Sequence, residues 1–231
     1  MNDQAVSSSP TFPLGYRLML SFVRFLLWLV SDFEAEGVEN IPLSGPAVLV
    51  SNHLDTMDGA AVFSILPRQV TVFAADKHNR RLSFLGWLLR TFANAIWVAR
   101  GEVDRKALRA ALDAVARGEM LAIAPEGTRS KTGALQKGHD GTAYLVARSG
   151  APIVPVAAWG QEKIWSELAH LRRSRVRLVV GKPFSLPAEA AHARSAELAV
   201  YTEQIMRRLA SLLPPAYRGV YADTPAAGDG A

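Results

Sequence analysis

"GPAVLVSNHLDTMDGAAVFSIL", residues 45–66, decides the architecture. After a Gly-Pro start, residues 47–50 are all apolar. Apolar residues at both alternating positions mark a strand covered on both faces, as in a parallel α/β sheet. A short polar turn follows, and a helix is expected from Thr56 to Leu66. The stretch is one strand-to-helix passage with His53, Asp55 and Asp58 at the crossing. In open α/β sheets that crossing is where ligands sit.

Working outward, the alternation repeats. "FEAEGVENIP" reads as a short strand and turn, and "QVTVFAADK", "NAIWVAR", "GEMLAIAPEG", "APIVPVAAWG" and "RVRLVVGKPF" as strands. Helices are expected at "RLSFLGWLLRTF" and over residues 104–117, 140–149 and 188–213. The fold class is therefore α/β: a mainly parallel or mixed central sheet covered by helices on both faces. Three regions follow: a polar tail and apolar helix (1–31), the α/β domain (32–213), and a Pro/Gly/Ala-rich tail expected to be extended or disordered (214–231).

Hydrophobic residues make up 49% of the 231, enough for a full core. The absence of cysteine excludes disulfides, thiolate metal sites and a cysteine nucleophile. A net charge of +5 favours an anionic partner. The densest basic group is Arg172, Arg173, Arg175 and Arg177 in "LRRSRVRLVVG". It reads as a solvated strand edge, facing anionic lipid headgroups or nothing. No aromatic interleaving or nucleic-acid motif accompanies it, so no nucleic-acid partner is expected.

"PLGYRLMLSFVRFLLWLV", residues 13–30, is apolar except for a narrow stripe. Arg17 and Arg24 lie about 20° apart on a helix, with Ser21 beside them. No small-residue cleavage site follows, which speaks against a signal peptide. A spanning helix would hold Arg24 near mid-membrane, at roughly 2.5–3.5 kcal/mol. A helix buried against the domain is the bland alternative. The favoured reading is an interfacial helix, its arginines at the headgroups and Phe22, Phe25, Leu26, Trp28 and Leu29 in the acyl region.

"HLDTMD" admits three readings. Asp55 can cap the helix, with Asp58 in its first turn, where carboxylates favour the helix dipole. A histidine and a carboxylate five residues on can instead fold into a dyad, the carboxylate fixing the tautomer of an imidazole that takes a proton from a hydroxyl. A metal site would draw on His53, Asp55, Asp58 and His78, yet no H-x-H or H-E-x-x-H spacing is present. A metal-dependent phosphoesterase and a non-catalytic lipid-phosphate module stand as the competing functions.

In "AIAPEGTRSKTGALQKG" a strand ends on Pro-Glu-Gly-Thr-Arg. Gly127 lets the backbone approach a ligand closely, and Arg129 can grip a phosphate in two places. The spacing is not that of a nucleotide P-loop. Lys77 and Arg100 each close another strand. Collected at one rim, these residues make a cationic pocket beside a general base.

The chain resembles the glycerolipid acyltransferases of the 1-acyl-sn-glycerol-3-phosphate acyltransferase type. Four ordered blocks carry the likeness: "NHLDTMD" (52–58), "AIWVAR" (95–100), "APEGTRS" (124–130) and "APIVPVAAWG" (151–160). Ala124 departs from the family's usual phenylalanine. The resemblance implies that His53 deprotonates an acceptor hydroxyl, oriented by Asp58. It implies that Arg100, Arg129 and Lys77 hold the acceptor's phosphate, while Glu126, Gly127 and Thr128 position the rest. It implies a lysophospholipid acceptor, most directly 1-acylglycerol 3-phosphate, and an acyl thioester donor, acyl-CoA or acyl carrier protein. No metal and no further cofactor are implied. Attachment to a membrane surface, on its cytoplasmic face, goes with such an acceptor.

Overall fold

A computed structural model of the chain describes residues 14–75, 94–98 and 105–226. Lys77, Arg100, His78 and the run "RLSFLGWLLRTF" lie outside the described residues. The strands are β1 (Ser31–Glu36), β2 (Ala47–Ser51), β3 (Val70–Ala75), β4 (Asn94–Val98), β5 (Met120–Ile123), β6 (Ile153–Trp159) and β7 (Ser174–Val180). They form one sheet in the order β1-β7-β6-β2-β5-β3-β4. β6 and β7 are antiparallel and every other neighbouring pair is parallel. The expected mixed α/β sheet is what forms.

β2 is the middle strand, and its apolar run divides between two cores. Ala47 and Leu49 join Met120, Val154 and Val156 on one face; Val48 and Val50 join Leu121, Ile153 and Ala157 on the other. Helices α1 (Leu14–Val30), α2 (Asp58–Ile65) and the short α5 (Ile164–Ala169) cover the first face. Helices α3 (Arg105–Ala116), α4 (Asp140–Ser149) and α6 (Ser195–Ser211) cover the second. Period two in the strand thus meets apolar helix stripes on both sides, which fixes the register of the central strand.

α1 is apolar on two sides. Tyr16, Leu20 and Leu27 are buried against the domain, while Leu18, Phe22, Phe25, Leu26, Trp28 and Leu29 are between 41% and 63% exposed. The exposed six cover an arc of about 160°. Arg24 is exposed, and its Nε donates to the Ser64 carbonyl in the last turn of α2 at 2.7 Å. No helix among the described residues is long and apolar enough to cross a membrane.

The basic group at residues 172–177 is a clamp rather than a free edge. Arg173 donates to the carbonyls of Trp28 and Ser31, where α1 ends and its dipole favours a cation. Arg177 pairs with Glu34 at 2.9 Å and Asp32 at 3.4 Å on the neighbouring strand β1. Arg172 pairs with Glu167 at 2.8 Å.

Three local expectations differ from the structure. α5 has six residues, too short for periodicity to separate from a loop. The expected helix over 188–213 is a 3-10 turn, Ala188–His192, followed by α6; Arg194 is extended between them and its N–H donates to Glu197 Oε2 at 2.8 Å. A glutamate three residues into a helix reaching back this way starts it afresh. The tail is not disordered over residues 214–226. It forms two 3-10 turns, Pro215–Tyr217 and Gly219–Tyr221, and Tyr221 is buried with its hydroxyl accepting the Gly138 N–H at 3.2 Å.

Gly160 ends β6 with φ 90°, and a Cβ there would sit 1.9 Å from the Arg175 carbonyl oxygen. Positive φ and a backbone clash act together. Gly160→Ala is expected to destabilise the fold by about 2–3 kcal/mol, read from the urea midpoint.

Candidate active site

β6, β2 and β5 are adjacent and parallel, so their carboxyl ends lie side by side. His53 stands two residues beyond β2, Glu126 to Arg129 beyond β5, and Gln161 two residues beyond β6. Sheet order alone brings three distant loops together.

His53 and Asp58 form the centre. His53 Nδ1 lies 2.7 Å from Asp58 Oδ2. The Asp58 side chain is 6% exposed and that of His53 36%. A buried carboxylate can only accept, so Nδ1 carries the proton and Nε2 is left with its lone pair. Asp58 is held from further sides. Gln161 Nε2 donates to its Oδ1 at 2.8 Å, and the Asp55 N–H reaches both oxygens at 3.1 and 3.0 Å.

Asp58 is the first residue of α2, which starts two residues later than the expected Thr56. Asp55 is not the helix cap. Its Oδ1 accepts the Met57 N–H at 3.1 Å, a two-residue turn that carries the chain into the helix.

Glu126 is 2% exposed, and both of its oxygens are taken by backbone donors. Oε1 accepts the His53 N–H at 2.8 Å and Oε2 the Gln136 N–H at 2.9 Å. Burial pushes its carboxyl above the usual glutamate value, against the N–H donors of Gln136 and His53. The sequence reading put Glu126 on substrate; the structure puts it beneath His53 as a brace. The Ser130 N–H donates to the His53 carbonyl at 2.7 Å, so the loop grips His53 at both backbone groups.

Gly127, Thr128 and Arg129 are exposed on the outer side of this loop. Gly127 turns at φ 66° and a Cβ there would lie 3.2 Å from the His139 ring, so its close approach is to protein. Thr128 Oγ1 donates to the Arg129 carbonyl at 3.1 Å. Arg129 Nη1 donates to Thr56 Oγ1 at 2.9 Å, which hangs the guanidinium over the turn joining His53 to Asp58. The structure brings His53, Asp58, Glu126, Gly127, Thr128 and Arg129 together.

Two residues of the site escaped the sequence reading. Gln161 is fully buried and holds Asp58. Asn52 is 1% exposed and exchanges two hydrogen bonds with Ala158, Nδ2 to the carbonyl at 2.7 Å and Oδ1 from the N–H at 2.8 Å. It ties the end of β2 to β6 just before His53. Among the described residues no three His, Asp or Glu side chains converge to hold a metal ion.

A histidine paired with a buried carboxylate thus stands at the carboxyl ends of a mixed α/β sheet, under a loop that carries an exposed arginine. The chain belongs to the acyltransferase family, whose model matches residues 32–159. It is similar to the chloroplastic 1-acyl-sn-glycerol-3-phosphate acyltransferase BAT2 of Brassica napus, 30% identical over 65% of this chain and 44% of that one. It is also similar to the 1-acyl-sn-glycerol-3-phosphate acyltransferase alpha of Bos taurus, 26% identical over 81% of this chain and 68% of that one. The chain spans less than half the length of the plant relatives it matches. Among solved structures, the 1-acyl-sn-glycerophosphate acyltransferase PlsC from Thermotoga maritima superposes with a TM-score of 0.64, at 25% identity, covering 84% of this chain and 77% of that one.

Proposed function

We propose that this chain transfers an acyl group from a thioester, acyl-CoA or acyl carrier protein, to the free hydroxyl of 1-acylglycerol 3-phosphate, giving phosphatidic acid. The observation that carries the reading is the contact between His53 Nδ1 and buried Asp58 Oδ2 at 2.7 Å, which leaves Nε2 of a partly exposed ring for substrate. His53 Nε2 takes the proton of the acceptor hydroxyl as the oxygen attacks the thioester carbonyl. Asp58 steadies the imidazolium that forms. When the tetrahedral intermediate collapses, the C–S bond breaks and the departing sulfur takes the proton from His53. Arg129 faces the acceptor phosphate; Lys77 and Arg100, which the family resemblance assigns to the same phosphate, lie outside the described residues. α1 lies in the membrane surface, where such an acceptor resides, with its exposed apolar arc among the acyl chains.

The test is a panel of acceptors offered with acyl-CoA and acyl carrier protein donors to wild type and His53→Ala. Thioester-dependent acylation of a lysophospholipid by wild type alone is expected. No transfer to any lysophospholipid would sink the reading. Arg129→Ala is expected to raise KM for the phosphate-bearing acceptor about 10- to 100-fold, the loss of a charge-assisted contact. Its effect on KM for a neutral glycerolipid acceptor should be small. Equal losses on both acceptors would remove Arg129 from the phosphate.

A further inference from the structure

α5 and the turn after it expose apolar residues that the fold does not use. Ile164 is buried at 1%, while Trp165 is 64% exposed, Leu168 41% and Leu171 94%. Trp165 and Leu168 lie one helical turn apart on one face. Leu171 follows where the turn closes, its N–H on the Leu168 carbonyl at 3.0 Å.

Leu171 has φ 56°, and it is the one non-glycine at positive φ among the described residues. Glycine or asparagine takes that conformation without strain. Here a leucine holds it with its side chain bare to water. Backbone and solvation both oppose the choice, and a strained residue of this kind points toward a function.

The turn adjoins α1. Two residues after Leu171, Arg173 donates to the carbonyls of Trp28 and Ser31 and stands 5.8 Å from the Trp28 ring centroid. Two residues of chain span at most about 7 Å. Arg172 pairs with Glu167, Arg177 with Asp32 and Glu34, and Arg173 caps the end of α1; Lys163 and Arg175 are exposed beside the two apolar stretches. Tryptophan and leucine flanked by arginine and lysine suit an anionic bilayer surface.

We infer that residues 165–171 form a second membrane contact, seating Trp165, Leu168 and Leu171 among the acyl chains of an anionic bilayer beside α1. The inference rests on the reading of α1 as a membrane-surface helix. One helix lying on a membrane is free to roll about its axis; a second contact off that axis fixes the orientation of the domain. The turn Gln161–Lys163 leads directly into α5, and Gln161 donates to Asp58 at 2.8 Å. The second contact is thus joined through one short turn to the His53 pair, and it sets the height of that pair above the headgroups.

The experiment is flotation of the full chain with phosphatidylcholine vesicles, with and without phosphatidylglycerol. Leu171→Asn is expected to weaken binding to the anionic vesicles about tenfold, as loss of one buried apolar side chain does. Its melting temperature should hold or rise, because asparagine accepts the left-handed turn. Trp165→Ser should weaken binding to a similar extent. Val200→Ser removes an equally exposed valine from α6 and should change nothing. Turnover of a short-chain, water-soluble acceptor should be unaffected in all three. If wild type binds, Phe22→Ser with Phe25→Ser abolishes binding, and Leu171→Asn and Trp165→Ser bind as wild type does, the second contact is wrong while the reading of α1 stands. If wild type binds no vesicles, both fall. Dissolution of a dimer by Leu171→Asn, with vesicle binding intact, would make the turn a protein interface and overturn the inference.

Discussion

Asp58→Asn is expected to lower kcat by about three to four orders of magnitude, while Asp55→Asn lowers it less than about tenfold. The two aspartates lie three residues apart and differ in every contact. Asp58 receives His53 Nδ1 at 2.7 Å, Gln161 Nε2 at 2.8 Å and the Asp55 N–H, all donors. An asparagine there has one acceptor and one donor group. If its oxygen faces Nδ1, its NH2 meets the NH2 of Gln161; if it turns over, its NH2 meets Nδ1 and forces the proton to Nε2, where the lone pair is needed. Either arrangement leaves an unmatched buried donor or the wrong tautomer. Among the described residues, Asp55 accepts the Met57 N–H, which an asparagine oxygen accepts equally well. Steady-state kcat for the two variants, with the imidazole 15N shifts to report the tautomer, checks the assignment. A larger loss at Asp55 would reverse it.

The parts legible in the sequence are those whose cause is local. The apolar run over residues 47–50 and the polar crossing after it give β2, α2 and the place of His53. Asp58 is legible because a five-residue fold-back is a matter of one turn. The roles of Gln161, Asn52 and Glu126 depend on which strands become neighbours. Asn52 meets Ala158 only because β6 pairs with β2, and nothing near residue 52 encodes that pairing. Glu126 is the sharpest case. A glutamate directly after an apolar strand looks like a ligand when its partners are unknown. Its partners are the backbone N–H groups of His53 and Gln136, 73 residues before it and 10 after. Arg173 shows the same effect in reverse. As sequence it is one more surface cation, and the fold sets it on the end of a helix that finished at Val30.

Glu126→Ala is expected to cost about 4 kcal/mol of folding free energy, since it leaves two buried backbone N–H groups without acceptors. It should also abolish turnover at temperatures where the variant remains folded, because the His53 backbone then keeps only the Ser130 contact. Glu126→Gln separates charge from shape. The amide oxygen can take one N–H, while its NH2 faces the other, so this variant should be destabilised by less than alanine. The pH dependence of the difference has a definite sign. Burial raises the carboxyl pKa in the folded state, so the native protein binds this proton more readily than the unfolded chain. The stabilisation from that protonation is fully present below the unfolded value and is lost as pH rises through the folded one. Wild type should therefore gain on Glu126→Gln as pH falls from neutral into the carboxylate range, measured as the difference in urea midpoints. A gap that closes on acidification would mean that the two N–H donors outweigh burial, and that Glu126 is held as a carboxylate beneath His53 more firmly than its desolvation allows.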